Sequence, residues 1–252
     1  MSRFGVLGWP VAHSRSPAMH QAAYAALGLT GHRYQRLPVP PELFAETVRA
    51  LPAAGFAGAN VTIPHKEAAL ALADTATERA AAIGAANTLT FGAGGAIHAD
   101  NTDAPGIVAA LGDPLPDTAL VLGAGGSARA AVWALVQAGV RVSVWNRTPE
   151  RAAALGVPVV ATPVPAALLV NCTSVGLHDP DALPADPAPY ATVVDLVYRE
   201  GGTALERRAR EQGARVIYGL EILVRQGALS LESWLGVAAP LDAMRLAAKT
   251  SS

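Results

Sequence analysis

The chain is short of several things, and each shortage excludes something. It has one cysteine, Cys172, in 252 residues. That rules out an intrachain disulfide and leaves nothing for a cysteine metal cluster. Only 15% of its residues are charged, and the formal net charge is -1. No basic face is therefore expected to meet nucleic acid. No apolar run looks like a membrane span once glycine, proline and charges are counted. None of the 6 histidines has metal-ligand spacing, and there is no Gly-x-Ser-x-Gly elbow, so neither a metal nor a nucleophilic serine is expected. Met1-Ser-Arg-Phe enters a strand pattern directly, without the apolar core of a signal peptide. The expectation is a cytoplasmic protein with no nucleic-acid or membrane partner.

Lysine is the most telling scarcity. Positive charge is carried by arginine, except at Lys66 and Lys249. A lysine can give or take a proton, which an arginine cannot do in a protein. Lys249 falls in a polar C-terminal stretch and reads as solvated. Lys66 closes Gly58-Ala-Asn-Val-Thr-Ile-Pro-His-Lys66, next to Asn60 and Thr62, and is a candidate for chemistry.

What is present reads as alternating strands and helices, hence an α/β protein. Phe4 to Gly8 predicts a buried strand. Ser16-Pro17 predicts a helix to about Leu27, with the serine at the N-cap and the proline at the first helical position. Strands are predicted over Arg33 to Leu37 and Phe56 to Val61, with a helix from Pro41 to about Leu51 between them. A helix starts near Pro64. Asn87 to Phe91 and Ala96 to His98 flank a glycine cluster and predict a hairpin. Asp103 opens a helix to Leu111, and Asp103 suits its N-cap. Thr118 to Gly123, a helix to Ala138 and Arg141 to Trp145 form a complete strand-turn-helix-strand unit. Further segments follow at Ala167 to Val170, Thr192 to Val197, Leu205 to Glu211 and Ala214 to Ile217. Helices close the chain at about Leu220 to Trp234 and Leu241 to Ala248.

Gly123-Ala124-Gly125-Gly126-Ser127-Ala128 fits G-x-G-x-x-[GA] in that strand-helix context. The first glycine permits a tight turn, the second lets a pyrophosphate reach the backbone, and the small third position lets helix pack on strand. NAD binding usually places an acid just after the second strand. Here Asn146-Arg147-Thr148 and Arg151 stand instead. Two guanidinium groups and a hydroxyl suit a 2′-phosphate, so NADP is favoured. The plainer alternative leaves both arginines as solvated surface charges. Earlier in the chain, Ser14, Ser16, Asn60, Thr62 and Asn87 offer donors and acceptors for a hydroxylated small molecule. Lys66 and Asp103 accompany them.

Together these motifs resemble the shikimate dehydrogenase family, nearly end to end and in its order. His13-Ser-Arg-Ser-Pro17, Asn60-Val-Thr-Ile-Pro-His-Lys66, Gly84-Ala-Ala-Asn-Thr88 and Asn101-Thr-Asp103 resemble its substrate and catalytic motifs. Gly123 to Ala128 and Asn146-Arg147-Thr148 resemble its NADP motifs. Asn171-Cys-Thr-Ser-Val-Gly176, Asp195-Leu-Val-Tyr198 and Gly219 to Gln226 complete the set. The resemblance implies an N-terminal α/β substrate domain plus a Rossmann-like, doubly wound NADP-binding domain. The expected bounds are 1–102, rejoined by 220–252, and 103–219. It implies reversible oxidation of shikimate to 3-dehydroshikimate with NADP. Lys66 would be the acid/base, with Asp103 beside it. Ser14, Ser16, Asn60, Thr62, Asn87, Tyr198 and Gln226 would bind substrate. Gly219 and the main chain near Leu196 would hold the nicotinamide end, Thr173 would also bind the cofactor, and Glu78 matches a position linked to the cofactor. Monomer and homodimer both remain open. Ala204 and Ile222 stand where the family often has proline and methionine. A quinate/shikimate dehydrogenase of broader specificity and a non-catalytic NADP-binding sensor are the competing expectations.

Overall fold

The computed structural model describes residues 2–250. Met1, Ser251 and Ser252, which fall within the expected first-domain bounds, lie outside the described residues. The chain forms two compact units, one of residues 1–103 with 223–252 and the other of 104–222. The divisions fall after Asp103 and Ile222, a few residues beyond 102 and 219.

The first unit is built on β1 (Arg3–Gly8), β2 (Arg33–Pro38), β3 (Phe56–Val61), β4 (Thr75–Ala76), β5 (Thr88–Phe91) and β6 (Ile97–Asp100). They form one sheet in the order β2-β1-β3-β5-β6-β4. β1 runs parallel to β2 and β3, whereas β5 is antiparallel to β3 and β6. Its helices are α1 (Ser16–Ala26), α2 (Phe44–Ala50), α3 (Lys66–Leu72) and α4 (Glu78–Ile83). Interior strand β1 is buried along nearly its whole length, whereas edge strand β2 buries only Tyr34 and leaves Arg33, Gln35 and Arg36 exposed. Charge on an edge strand discourages pairing with other chains. Leu7, Val48, Ala59 and Leu89 anchor the core. Each fully buried leucine contributes about 2 kcal/mol.

The second unit begins within α5 (Asp103–Leu111) and continues through β7 (Thr118–Leu122), α6 (Gly126–Gln137), β8 (Arg141–Trp145), α7 (Pro149–Ala153), β9 (Leu168–Asn171), β10 (Thr192–Asp195), α8 (Ala204–Glu211) and β11 (Arg215–Tyr218). Its sheet is wholly parallel, in the order β11-β10-β9-β7-β8. Alternate residues feed two cores. Val121, Val170 and Val194 pack with Ala131 and Leu135 of α6. Leu120, Leu122, Leu169 and Val193 pack with Leu205 and Ala209 of α8. Covering a parallel sheet on both faces requires such continuous apolar strands. This is a doubly wound, Rossmann-like unit. The strand order reverses at β7, so the crevice lies between β7 and β9.

The chain ends with α9 (Gly219–Leu235) and α10 (Leu241–Thr250). α10 packs on α1 in the first unit, where Arg15 Nη1 donates to the Ala248 carbonyl at 2.9 Å.

Two local expectations need correction, and a third, solvated Lys249, stands. Ser16 is not an N-cap: Arg15 holds that position, and Ser16 is already helical. The Ser14 hydroxyl accepts the Ser16 N–H at 3.4 Å, so the short polar side chain serving this end sits two residues earlier. Pro64 precedes α3 rather than starting it, since the helix opens at Lys66 after His65. Lys249 lies in the last turn of α10, exposed, where a cation meets the helix C-terminus favourably.

Candidate active site

In the first unit, β3 delivers the chain to Thr62, and α3 then begins on Lys66. His65 secures this start. Its ring stacks on Phe44, with centroids 4.4 Å apart. Its Nε2 donates to the Val39 carbonyl at 2.7 Å. Burial lowers the His65 pKa, against the opposing pull of that bond. Lys66 therefore leaves a fixed helix end. Its Nζ donates to Asp103 Oδ2 at 2.6 Å, and both residues are buried.

Asn87 completes the arrangement. Its Nδ2 lies 2.9 Å from Asp103 Oδ1, 3.0 Å from Gln226 Oε1 and 3.0 Å from Thr102 Oγ1. An amide nitrogen carries only two hydrogens, so these three acceptors share them. Asn87 Oδ1 accepts the Thr102 N–H at 2.7 Å. The backbone of Asn87 bonds to Val61 on one side and Asp100 on the other. Lys66, Asp103, Asn87 and Gln226 thus form one hydrogen-bonded group with one ammonium and one carboxylate.

Asn60 stands behind this group. Its Oδ1 accepts from the Tyr34 hydroxyl at 2.8 Å, and its Nδ2 donates to Ser230 Oγ at 2.8 Å and the Asn87 carbonyl at 3.1 Å. Ser230 also meets Thr88 and Thr102, at 2.9 and 3.2 Å. Tyr34 and Ser230 were missed in the sequence, because neither lies in a motif. Buried Ser14 and Ser16 follow β1, and half-buried Thr62 follows β3. Because β1 and β3 are parallel neighbours, these residues leave the same edge of the sheet. Glu78 opens α4 and is exposed, next to Arg79, which grips Asp100 at 2.7 and 2.8 Å.

The second unit places its candidates in a row. Leu122, Trp145, Asn171, Asp195 and Tyr218 are register partners from strand to strand, each closing its strand. The predicted residues follow within one or two positions: Gly123, Asn146, Thr173, Leu196 and Gly219. Tyr198, half-buried, lies two residues beyond Leu196. Gly123 adopts φ +109°, and a side chain there would meet the Cys172 carbonyl at 3.3 Å. At Gly219 an added Cβ would lie 2.7 Å from the Leu196 carbonyl oxygen, so helix α9 starts pressed against that turn.

A dinucleotide fits this edge. No atom lies within 4 Å of where a Gly125 side chain would stand, at the N-terminus of 12-residue α6. That open backbone suits a pyrophosphate. Alanine suffices at the motif's last position, because the small Ala128 side chain is fully buried where α6 packs on the sheet. Arg147, Thr148 and Arg151 are exposed beyond β8, and Asn146 Nδ2 donates to the Thr148 carbonyl at 2.8 Å, shaping that turn. Among the described residues no group of three or more His, Cys, Asp or Glu is placed to hold a metal ion, and no helix is long and apolar enough to cross a membrane.

Residues 6–89 match the family model described as the shikimate dehydrogenase substrate binding domain, and 219–249 match that of the shikimate 5′-dehydrogenase C-terminal domain. The chain is 48% identical to the shikimate dehydrogenase (NADP(+)) of Methylobacterium radiotolerans, over 92% of this chain and 90% of that one. The chain belongs to the shikimate dehydrogenase family. Its Paracoccus denitrificans relative, also a shikimate dehydrogenase (NADP(+)), is 46% identical over 94% of this chain and 92% of its own. Among solved structures, shikimate 5-dehydrogenase from Thermus thermophilus in complex with NADP(H) and shikimate superposes with a TM-score of 0.90. It shares 44% identity, over 99% of this chain and 99% of that one.

Proposed function

We propose that this chain interconverts 3-dehydroshikimate and shikimate, using NADPH and NADP+. The observation that carries the reading is the buried contact between Lys66 Nζ and Asp103 Oδ2 at 2.6 Å, with Asn87 and Gln226 attached. It supplies a proton donor that is oriented before substrate arrives, in a family whose chemistry moves a proton at a carbonyl oxygen.

The nicotinamide, when bound, exchanges hydride with the ring carbon. Everything else falls to side chains. In reduction the Lys66 ammonium gives its proton to the carbonyl oxygen. In oxidation neutral Lys66 takes it from the hydroxyl. Asp103 orients the amine, and Asn87 and Gln226 hold ring hydroxyls along with Thr62 and Tyr198. Ser14 and Ser16 receive the carboxylate, and Asn60 fixes Asn87 from behind. On the cofactor side, Gly123, Ala124, Gly125, Gly126, Ser127 and Ala128 take the pyrophosphate. Asn146, Arg147, Thr148 and Arg151 take the 2′-phosphate, Gly219 and the main chain at Leu196 the nicotinamide end, and Thr173 adds a further cofactor contact. Glu78 carries its cofactor role by resemblance alone. One chain holds all these residues, so the reading needs no second subunit, and a monomer or homodimer serves equally. A cytoplasmic location, with its NADP pool, completes the reading.

The test is direct. Purified protein is mixed with shikimate and NADP+, with parallel quinate and NAD+ reactions, and reduced nicotinamide is followed by absorbance. Reduction confined to shikimate with NADP+ is expected. Comparable turnover of quinate or with NAD+ would replace the reading with the broader dehydrogenase. Silence from folded, NADP-binding protein would replace it with the sensor.

A further inference from the structure

Two neighbouring strands of the second unit end alike. Asn171 closes β9, Asp195 closes β10, and the two are register partners. Each side chain accepts a backbone N–H from two residues ahead. Asn171 Oδ1 takes that of Thr173 at 3.0 Å, and Asp195 Oδ1 takes that of Val197 at 3.1 Å. Asn171 Oδ1 also accepts the Thr173 hydroxyl at 2.7 Å. Asn171 Nδ2 donates to Asp195 Oδ1 at 2.9 Å, locking the two turns side by side. Asp195 Oδ2 accepts the Thr203 hydroxyl at 2.7 Å, which adds the start of α8. There Thr203 and Glu206 cap each other reciprocally.

Asp195 is fully buried, and its three donors are neutral. Burial pushes its carboxyl up to about 6, against those three bonds. Its Oδ1 fixes the Leu196 turn directly and the Thr173 turn by orienting Asn171, and Leu196 is the carbonyl against which Gly219 is pressed. Strongly perturbed groups gather where geometry serves function.

We propose that Asp195 is a positioning residue for cofactor binding, holding the Thr173 and Leu196 turns in place through Asn171 and the Val197 amide. It rests on the cofactor assignment above. The geometry uses the two acceptor oxygens rather than the charge. Asparagine can keep the shared Oδ1 bonds and donate to Thr203, whereas leucine keeps the size and loses every acceptor.

The experiment compares the whole chain with Asp195→Leu, Asp195→Asn and Asn171→Ala. NADP+ affinity is measured by titration calorimetry, steady-state constants for both substrates by absorbance, and folding by urea titration. Asp195→Leu is expected to weaken NADP+ binding about tenfold, the size of a lost buried hydrogen bond. The KM for shikimate should rise less, through Tyr198 next to the Val197 amide that Asp195 holds. Asp195→Asn should restore NADP+ affinity. Asn171→Ala should weaken it comparably, and carries the test if Asp195→Leu does not fold. NADP+ affinity unchanged in folded Asp195→Leu or in Asn171→Ala would overturn the proposal, leaving Asp195 a stability residue. Asparagine as damaging as leucine would overturn the acceptor argument. Failure of the unaltered chain to bind NADP+ would sink the cofactor reading, and this proposal with it.

Discussion

The two units treat charge in opposite ways. In the first, the Lys66 cation is buried and already paired with Asp103. In the second, the cations assigned to phosphate are exposed at the sheet edge, while two carboxylates, Asp195 and Glu206, are buried. A buried pair is oriented before anything binds, which suits a proton donor. Exposed guanidinium groups remain solvated until an anion displaces their water, which suits capture of a phosphate. The same contrast extends to titration. The first unit buries His20, stacked on Tyr34 with ring centroids 4.2 Å apart, and neither of its ring nitrogens has a hydrogen-bond partner among the described residues. Burial pulls His20 down from 6.5 to about 3. Burial pushes Asp195 and Glu206 the other way, to about 6 and about 7.

The sharpest way to break the comparison is Lys66→Ala. Turnover should fall by about 10²–10⁴-fold, the usual worth of a positioned acid or base, with substrate affinity falling far less. Loss of affinity with turnover surviving, measured by direct binding and steady-state kinetics, would make Lys66 a binding residue only. On the other side, Arg147→Ala with Arg151→Ala should raise the KM for NADP+ about tenfold or more, as charge-assisted bonds to a phosphate are lost. The KM for NAD+ should stay put, since it lacks the 2′-phosphate. An equal rise for both cofactors would return these arginines to surface charge.

Two smaller effects concern pH. The folded value for His20 lies below its ordinary one, so the unfolded chain binds the extra proton between pH 6.5 and about 3. Its contribution is whole above 6.5 and drains as pH falls, at about 1.4 kcal/mol per pH unit. In urea titrations from pH 7 to 4.5, His20→Met should flatten this acid limb; an unaltered slope would show that the ring is not held neutral. Glu206 has the opposite sign. Its folded value lies above the ordinary 4.5, so its contribution is whole below 4.5 and lost as pH rises through about 7. The pulls of Arg207 and Arg210 against the burial are already within that value, so the decline should run at about 1.4 kcal/mol per pH unit, as for His20 with the sign reversed. Glu206→Gln should remove that decline between pH 5 and 8; a decline that persists would move its origin elsewhere.

The frame of both units was legible in the sequence where local signals agree. Thr118 to Trp145 combines an apolar strand, a glycine turn, a long helix and a second strand, and each of these elements is present. The antiparallel hairpin of β5 and β6 was legible from its glycine cluster. Short elements were not. β4 has two residues, and α4 is a run of six after a Thr77 cap, too brief to show a period. Ser16 misled because proline in a first turn draws attention to the serine before it, whereas the helix starts one residue earlier. Lys66 and Asp103 could be singled out by scarcity and motif. Long-range support could not: Ser230 meets Asn60 across 170 residues, and Asp195 meets Asn171 across 24. No local pattern encodes such partners, because sheet order and helix return bring them together.

That return has a consequence for the order in which the chain is made. Asn60, Asn87 and Thr88 leave the ribosome early, but Gln226 and Ser230, which their side chains bond, emerge only after the whole second unit. Until then the amides that shape the candidate site must stay hydrated or bond elsewhere. The nascent first unit thus waits with its polar interior open, and α9 is what closes it.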